Sequence, residues 1–259
     1  MVSENKNQLV SALARGISIL RCFTPMSREL SGRELIEMTG LPKPTLFRLL
    51  ETLCELGLLR YSERISKYQP GIALLNMGAP VLARMTIRQL ARPMMQDLAN
   101  HIVGQIQLSV GEGPNLLYAE LVQGRQSQVF RPEIGMRISL SRTASGRAYL
   151  SSWPEAEREE YLERLRKRDS ERATWLESRL AETVHDLQEY GFCRSHGDLH
   201  REIVSIAVPM RKPIDGESWV FAASVPVFSE QGRSFETDLG PRLITVVRSV
   251  EAALGNISY

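Results

Sequence analysis

His196-Gly-Asp198-Leu-His200 is the stretch whose residue types and spacing come nearest to metal or acid–base chemistry. On an extended chain alternate residues face one side, so two imidazoles and a carboxylate could converge there. The competing reading is a polar loop edge that leads into an apolar strand at Ile203. No fourth ligand or catalytic partner stands at a suitable spacing, so no metal is expected. Ser145-Gly-Arg lacks the pattern of a nucleophile elbow, and Gly111 and Gly113 are not followed by the Lys-Ser/Thr of a phosphate loop. No catalytic residue and no cofactor are expected. His196 is retained as a residue that could hydrogen-bond an anionic small molecule.

A second constellation carries a different chemistry. Lys43, Pro44, Thr45 and Arg48 open a helix whose back is Leu46, Leu49, Leu50 and Leu53, at the i, i+3, i+4, i+7 spacing of one apolar stripe. Proline is compatible with a first turn, and Gly57 stands where a helix end favours positive φ. A short helix with a buried back and a basic leading end suits the DNA major groove. There Arg48 could bond two acceptors of a guanine and Lys43 a phosphate.

The elements that must hold this helix are readable. Leu9, Leu13, Ile17 and Leu20 form a helical stripe ended by Thr24-Pro25. Ser31 and Glu34 have capping-box spacing before a short helix that stops at Gly40. Leu58–Tyr61 and Lys67–Gln69 read as two strands around a polar tip, with Arg64 and Lys67 as phosphate or minor-groove contacts. Three helices and a β-ribbon make a winged helix-turn-helix over residues 8–71. Residues 72–94 read as a linker helix with more apolar surface than a small domain could bury, so contact with a second copy is expected.

From Gln105 the period changes to two. Strands are expected at Gln105–Val110, Leu116–Val122, Ser127–Arg131, Met136–Leu140, Ile203–Pro209 and Trp219–Val227. Helices are expected at Ala144–Ser151, Pro154–Arg168, Thr174–Tyr190 and from Leu239 onward. The fold class is α+β, with an antiparallel sheet flanked by helices over residues 95–259.

Composition is permissive. The 259 residues contain 43% hydrophobic and 24% charged side chains with a net charge of +2. Ten Lys/Arg against seven Asp/Glu in residues 1–70 place the basic surplus at the N-terminal end. No membrane span and no secretory signal are expected. Cys22, Cys54 and Cys193 read as reduced thiols of a cytoplasmic protein.

The chain resembles the IclR family of bacterial transcription regulators. The resemblance rests on Leu41-Pro-Lys-Pro-Thr-Leu-Phe-Arg-Leu-Leu-Glu-Thr-Leu, on Tyr68-Gln-Pro-Gly71 with Leu74-Leu75-Asn-Met-Gly78, and on Thr143-Ala-Ser-Gly-Arg-Ala148 after Ile138-Ser-Leu. Tyr190-Gly191 and the strand Ile203–Pro209 continue it. It implies a winged helix that binds double-stranded operator DNA as a homodimer or dimer of dimers, and a GAF-like C-terminal domain that binds a small effector, an organic acid or aromatic metabolite. By this resemblance Lys43, Thr45 and Arg48 contact DNA. The effector is held by Phe130 and Ile138 as apolar wall, Ala144 and Ser145 as backbone donors, and Ser195, Ser205, Ser224 and Pro226 at its polar end. The chain departs from the family pattern at Pro44, Pro70, Ser195, Glu202 and Pro226. Two other readings stay open: a metal-dependent enzyme with a helical N-terminal module, and a DNA-binding protein whose C-terminal domain only oligomerises.

Overall fold

The computed structural model describes residues 9–127, 129, 132–227 and 235–255. The chain divides into two compact units, one ending at Arg84 and the other starting at Met85. Pro93, where a break was expected from sequence, lies inside a continuous helix, Thr86–Ile102.

The first unit contains α1 (Ser11–Leu20), α2 (Gly32–Thr39), α3 (Lys43–Glu55), β1 (Leu59–Ser62), β2 (Lys67–Pro70) and α4 (Ala73–Arg84). Its core is Ile19, Leu30, Leu35, Leu46, Leu50, Leu53 and Leu59, with Leu49 packed at the edge. Each fully buried leucine contributes about 1.5–3 kcal/mol through lost water contact. Ser31 caps α2 with both halves of the capping box formed. Gly40, at φ +67°, ends α2 and opens the turn into α3. A Cβ on Gly71 would lie 1.9 Å from the Gly57 carbonyl oxygen, so only glycine lets the chain leave the ribbon there.

Two helices leave apolar residues uncovered within the unit. On α1, Gly16 and Ile19 are the buried residues, while Leu13 and Ile17, and Leu9 just before the helix, are exposed. On α4 no residue is buried, and Leu75, Met77 and Val81 face outward. Helical periodicity identifies an apolar stripe but does not say whether its cover comes from the same chain.

The second unit contains α5 (Thr86–Ile102), β3 (Gln105–Glu112), β4 (Asn115–Gln123), α6 (Ala144–Ser151), α7 (Glu155–Arg168), α8 (Ser170–Glu189), β5 (Cys193–His196), β6 (Ile203–Pro209), β7 (Ser218–Pro226), a π-helical turn (Phe235–Leu239) and α9 (Gly240–Gly255). Its five strands form an antiparallel sheet in the order β4-β3-β7-β6-β5. One face packs on α5 and α9 through Leu108, Ile206 and Phe221; the other packs on α6, α7 and α8 through Ala207, Val220 and Ala222. The expected strand Met136–Leu140 is not a ladder strand. It lies beside β4 through one bridge, Arg137 to Leu117, with the Ile138 N–H donating to the Leu116 carbonyl at 2.7 Å. Within Ser127–Arg131, residues 127 and 129 are in no strand and the others lie outside the described residues.

Candidate functional site

Helix α3 starts at Lys43 with Pro44 in its first turn, where a missing N–H costs no intrahelical bond. The leucine back is buried, so the leading end must face away from the core. Lys43, Pro44 and Arg48 are exposed and Thr45 is half-buried. The Lys43 ammonium lies 5.9 Å from the centre of the Phe47 ring. Arg48 has no side-chain partner among the described residues. On the wing Arg64 is exposed. Lys67 is engaged within its own domain instead, 3.2 Å from the Glu34 carboxylate and 3.5 Å from the Glu29 carbonyl. Hydrogen bonds from the Ser31 backbone and hydroxyl, with Lys67 beside them, hold the Glu34 carboxyl down at about 2.

The second unit contains a cavity of about 170 Å³ between the sheet, the N-terminus of α6, segment 136–139 and the turn after β5. Strand register builds its floor. Gln105 pairs with Ser224, Ser224 with Ser205 and Ser205 with Ser195, a polar row across four neighbouring strands. At about 4.8 Å per strand the row spans about 14 Å. Because side chains alternate, these residues face the cavity while Ile106, Val204 and Val225 face the opposite core. The Gln107 amide donates to Gln105 at 2.6 Å and to the Ser224 hydroxyl at 3.1 Å. Tyr118, Met136, Ile138 and Ile203 supply apolar wall. Burial pushes the Tyr118 phenol up to about 12, so it stays neutral.

Thr143 caps α6 by accepting from the Gly146 N–H at 2.9 Å. The N–H groups of Ala144 and Ser145 have no acceptor among the described residues. Ser145 lines the cavity, so a helix N-terminus with an open donor meets it. Arg137 and Arg142 stand at the rim, both exposed.

Five of the expected ligand residues therefore come together: Ile138, Ser145, Ser195, Ser205 and Ser224. Ala144 is packed into the core behind them, its carbonyl accepting from the Cys193 thiol at 3.4 Å. Phe130 lies outside the described residues. Pro226 is buried opposite Ile203 and does not line the cavity. His196 is out of phase with Ser195, so its ring faces Phe235 at 5.6 Å on the other side of the sheet. His200 lines the cavity in its place. Gln105, Gln107, Tyr118, Arg137 and Arg142 were not anticipated. The first two were detectable as glutamines at inward positions of an alternating strand.

The His-x-Asp-x-His reading does not survive the geometry. Gly197 takes φ +69° and breaks the alternation. The Asp198 carboxylate is drawn inward, 2.9 Å from the buried Arg147 guanidinium and 2.7 Å from the Ser195 hydroxyl, which donates to it. Arg147 also donates to the carbonyls of Ser141 and Arg194. Among the described residues no group of three His, Cys, Asp or Glu is placed to hold a metal ion. The stretch is a structural clamp that ties the turn after β5 to α6.

Two family models match the chain: the IclR helix-turn-helix domain over residues 12–63 and the bacterial transcriptional regulator IclR C-terminal domain over residues 79–252. The chain belongs to the IclR family. An IclR family transcriptional regulator from Brucella abortus, solved as a crystal structure, is 37% identical with a TM-score of 0.85, covering 98% of this chain and 96% of that one. The HTH-type transcriptional regulator TsaQ1/TsaQ2 of Comamonas testosteroni is 28% identical over 98% of this chain and 91% of its own length. An IclR homologue from Microbacterium hydrocarbonoxydans, solved in complex with 4-hydroxybenzoate, shares the fold at 20% identity with a TM-score of 0.71, covering 93% of this chain and 99% of that one. As a member of this IclR family, the protein is a DNA-binding transcription regulator. Among the described residues no helix is long and apolar enough to cross a membrane.

Proposed function

We propose that the cavity beside α6 binds a small organic acid, aromatic in its body, and that occupation changes the affinity of the winged helix for an operator near catabolic genes. The protein acts in the cytoplasm as a homodimer or dimer of dimers and catalyses no reaction. The observation that carries the effector class is the pairing of two surfaces in one cavity. The polar row and the open N-terminus of α6 suit a carboxylate, and Tyr118, Met136 and Ile138 suit a ring. Arg137 and Arg142 at the rim favour an anion. The homologue bound to 4-hydroxybenzoate is an example of this fold holding such a molecule.

On α3, Arg48 reads bases, Lys43 and Arg64 hold phosphates, and Thr45 positions the helix. Lys67 acts chiefly through Glu34, fixing the wing against α2. The ligand changes the balance between operator-binding and non-binding forms only by its differential affinity for them.

Thermal unfolding and calorimetric titration of the full chain with benzoate, 4-hydroxybenzoate and short keto acids test the effector class. Saturable binding of an aromatic acid, weakened about ten-fold in Ser224→Ala through a lost hydrogen bond to charge, is the expected result. No saturable binding by any of a broad acid panel would leave the second domain as an oligomerisation module.

A further inference from the structure

We propose a second anion-binding site in the same unit, a groove that takes a doubly charged oxyanion of the phosphate monoester class. The groove, about 390 Å³, lies on the far side of segment 137–141 from the effector cavity, against the C-terminal end of α7 and the first turn of α8. Arg137, Arg168 and Arg172 line it. Among the described residues none of the three has a carboxylate within ion-pair distance.

Their neighbours behave differently. On the same helix as Arg168, Arg164 pairs with Glu160 and Arg166 with Glu177. Deeper in the unit, Arg147, Arg179 and Arg194 are all paired. Other arginines of the chain also lack a carboxylate partner; what sets this groove apart is that three such guanidinium groups line one concave space. Arg172 is half-buried and held: its Nε donates to the buried Ser141 hydroxyl at 3.0 Å and a terminal nitrogen reaches Ser139 at 3.4 Å. Two of its polar contacts are thus neutral hydroxyls, which leave its charge uncompensated.

Charge selects the ligand. Asp169 is the one carboxylate among the lining residues, and it accepts the Arg172 backbone N–H as the cap of α8. Three cations against one anion leave two positive charges, which match a dianion better than a monocarboxylate. Guanidinium forks present paired donors to phosphate oxygens, and the first turn of α8 adds positive potential. Leu165 and the Tyr161 ring border the same space and suit the organic part of an ester.

The site is distinct from the effector cavity but shares a wall with it. Arg137, Ile138 and Ser139 line both, and the Ser139 carbonyl accepts from the Thr143 hydroxyl that caps α6. An anion held by Arg168 and Arg172 fixes this wall, so the two ligands change each other's affinity by the same factor.

The test uses the full chain and inorganic phosphate, followed by phosphorus NMR line broadening and thermal shift against chloride at matched ionic strength. Saturable phosphate binding is expected, weakened about ten-fold in Arg168→Gln and in Arg172→Gln and unchanged in Ser224→Ala. Arg168 is exposed, so its variant folds and keeps the test valid if Arg172→Gln does not. Unsaturable binding, equal binding in Arg168→Gln, or loss in Ser224→Ala would overturn the proposal. Because an aromatic acid still binds Arg168→Gln when the effector assignment holds, failure of one site is distinguishable from failure of the other.

Discussion

Arg48 and Lys67 are both basic residues on the DNA-binding unit, yet their surroundings assign them different work. Arg48 projects from α3 with its guanidinium free of side-chain partners among the described residues, whereas Lys67 is tied to Glu34. Arg48→Ala is expected to cost about 1–3 kcal/mol on the operator and much less on random DNA. Gel-shift titrations on both DNAs measure this, and equal losses would remove Arg48 from base reading. At this scale the sequence was legible where chemistry is local. The leading end of α3 follows from spacing, and the strand serines follow from the family resemblance. His196 and His200 did not, because their facing depends on one positive φ at Gly197 and on Arg147, which meets Asp198 across 51 positions of sequence. No local pattern encodes that clamp.

Among the elements, α2 gives the clearest pH dependence. Glu34 sits at about 2 in the folded chain against an ordinary 4.5, owing first to the Ser31 backbone bond, then the Ser31 hydroxyl and Lys67. A depressed carboxyl contributes stability that is fully present above 4.5 and lost as pH falls from 4.5 toward 2. The three tryptophans, Trp153, Trp175 and Trp219, all belong to the second unit. Acid loss of the first unit should therefore appear in circular dichroism before tryptophan fluorescence changes. Ser31→Ala is expected to destabilise that first transition by about 1 kcal/mol at neutral pH and to flatten its dependence below 4.5. An unchanged acid profile in the variant would show that the capping box does not govern it. Element boundaries were legible where caps and turns are chemical signals, as at Ser31, Thr143 and Gly40. They were not legible at Met136–Leu140, where an extended, apolar-alternating segment lies beside β4 without joining its ladder, since backbone pairing depends on what occupies the neighbouring position.

On the scale of the molecule, the exposed apolar residues of α1 and α4 need a cover that this chain does not supply within the first unit. Leu9, Leu13, Leu75 and Met77 are each more than three-fifths exposed, too many at helical spacing for ordinary scattered surface leucines. Burial of one such side chain is worth about 1.5–3 kcal/mol, so Leu75→Glu should weaken self-association at least about ten-fold while retaining the helical signal. Sedimentation of the wild-type chain and the variant over a dilution series reads this directly. Identical association in the two would place the assembly surface elsewhere. The pattern of apolar residues announced these helices, but a stripe alone does not say which side of α1 its own chain covers.

The polar row across β3, β7, β6 and β5 has a consequence for how this protein can diversify. Gln105, Ser224, Ser205 and Ser195 occupy one face of strands whose other face, including Ile106, Val204 and Val225, carries the larger core. Side-chain alternation separates the two sets, so a substitution in the row leaves the packing on α5 and α9 in place. Under the proposed effector assignment, ligand preference can change one position at a time while that packing persists. The sheet thus separates positions that can change from positions that hold the frame.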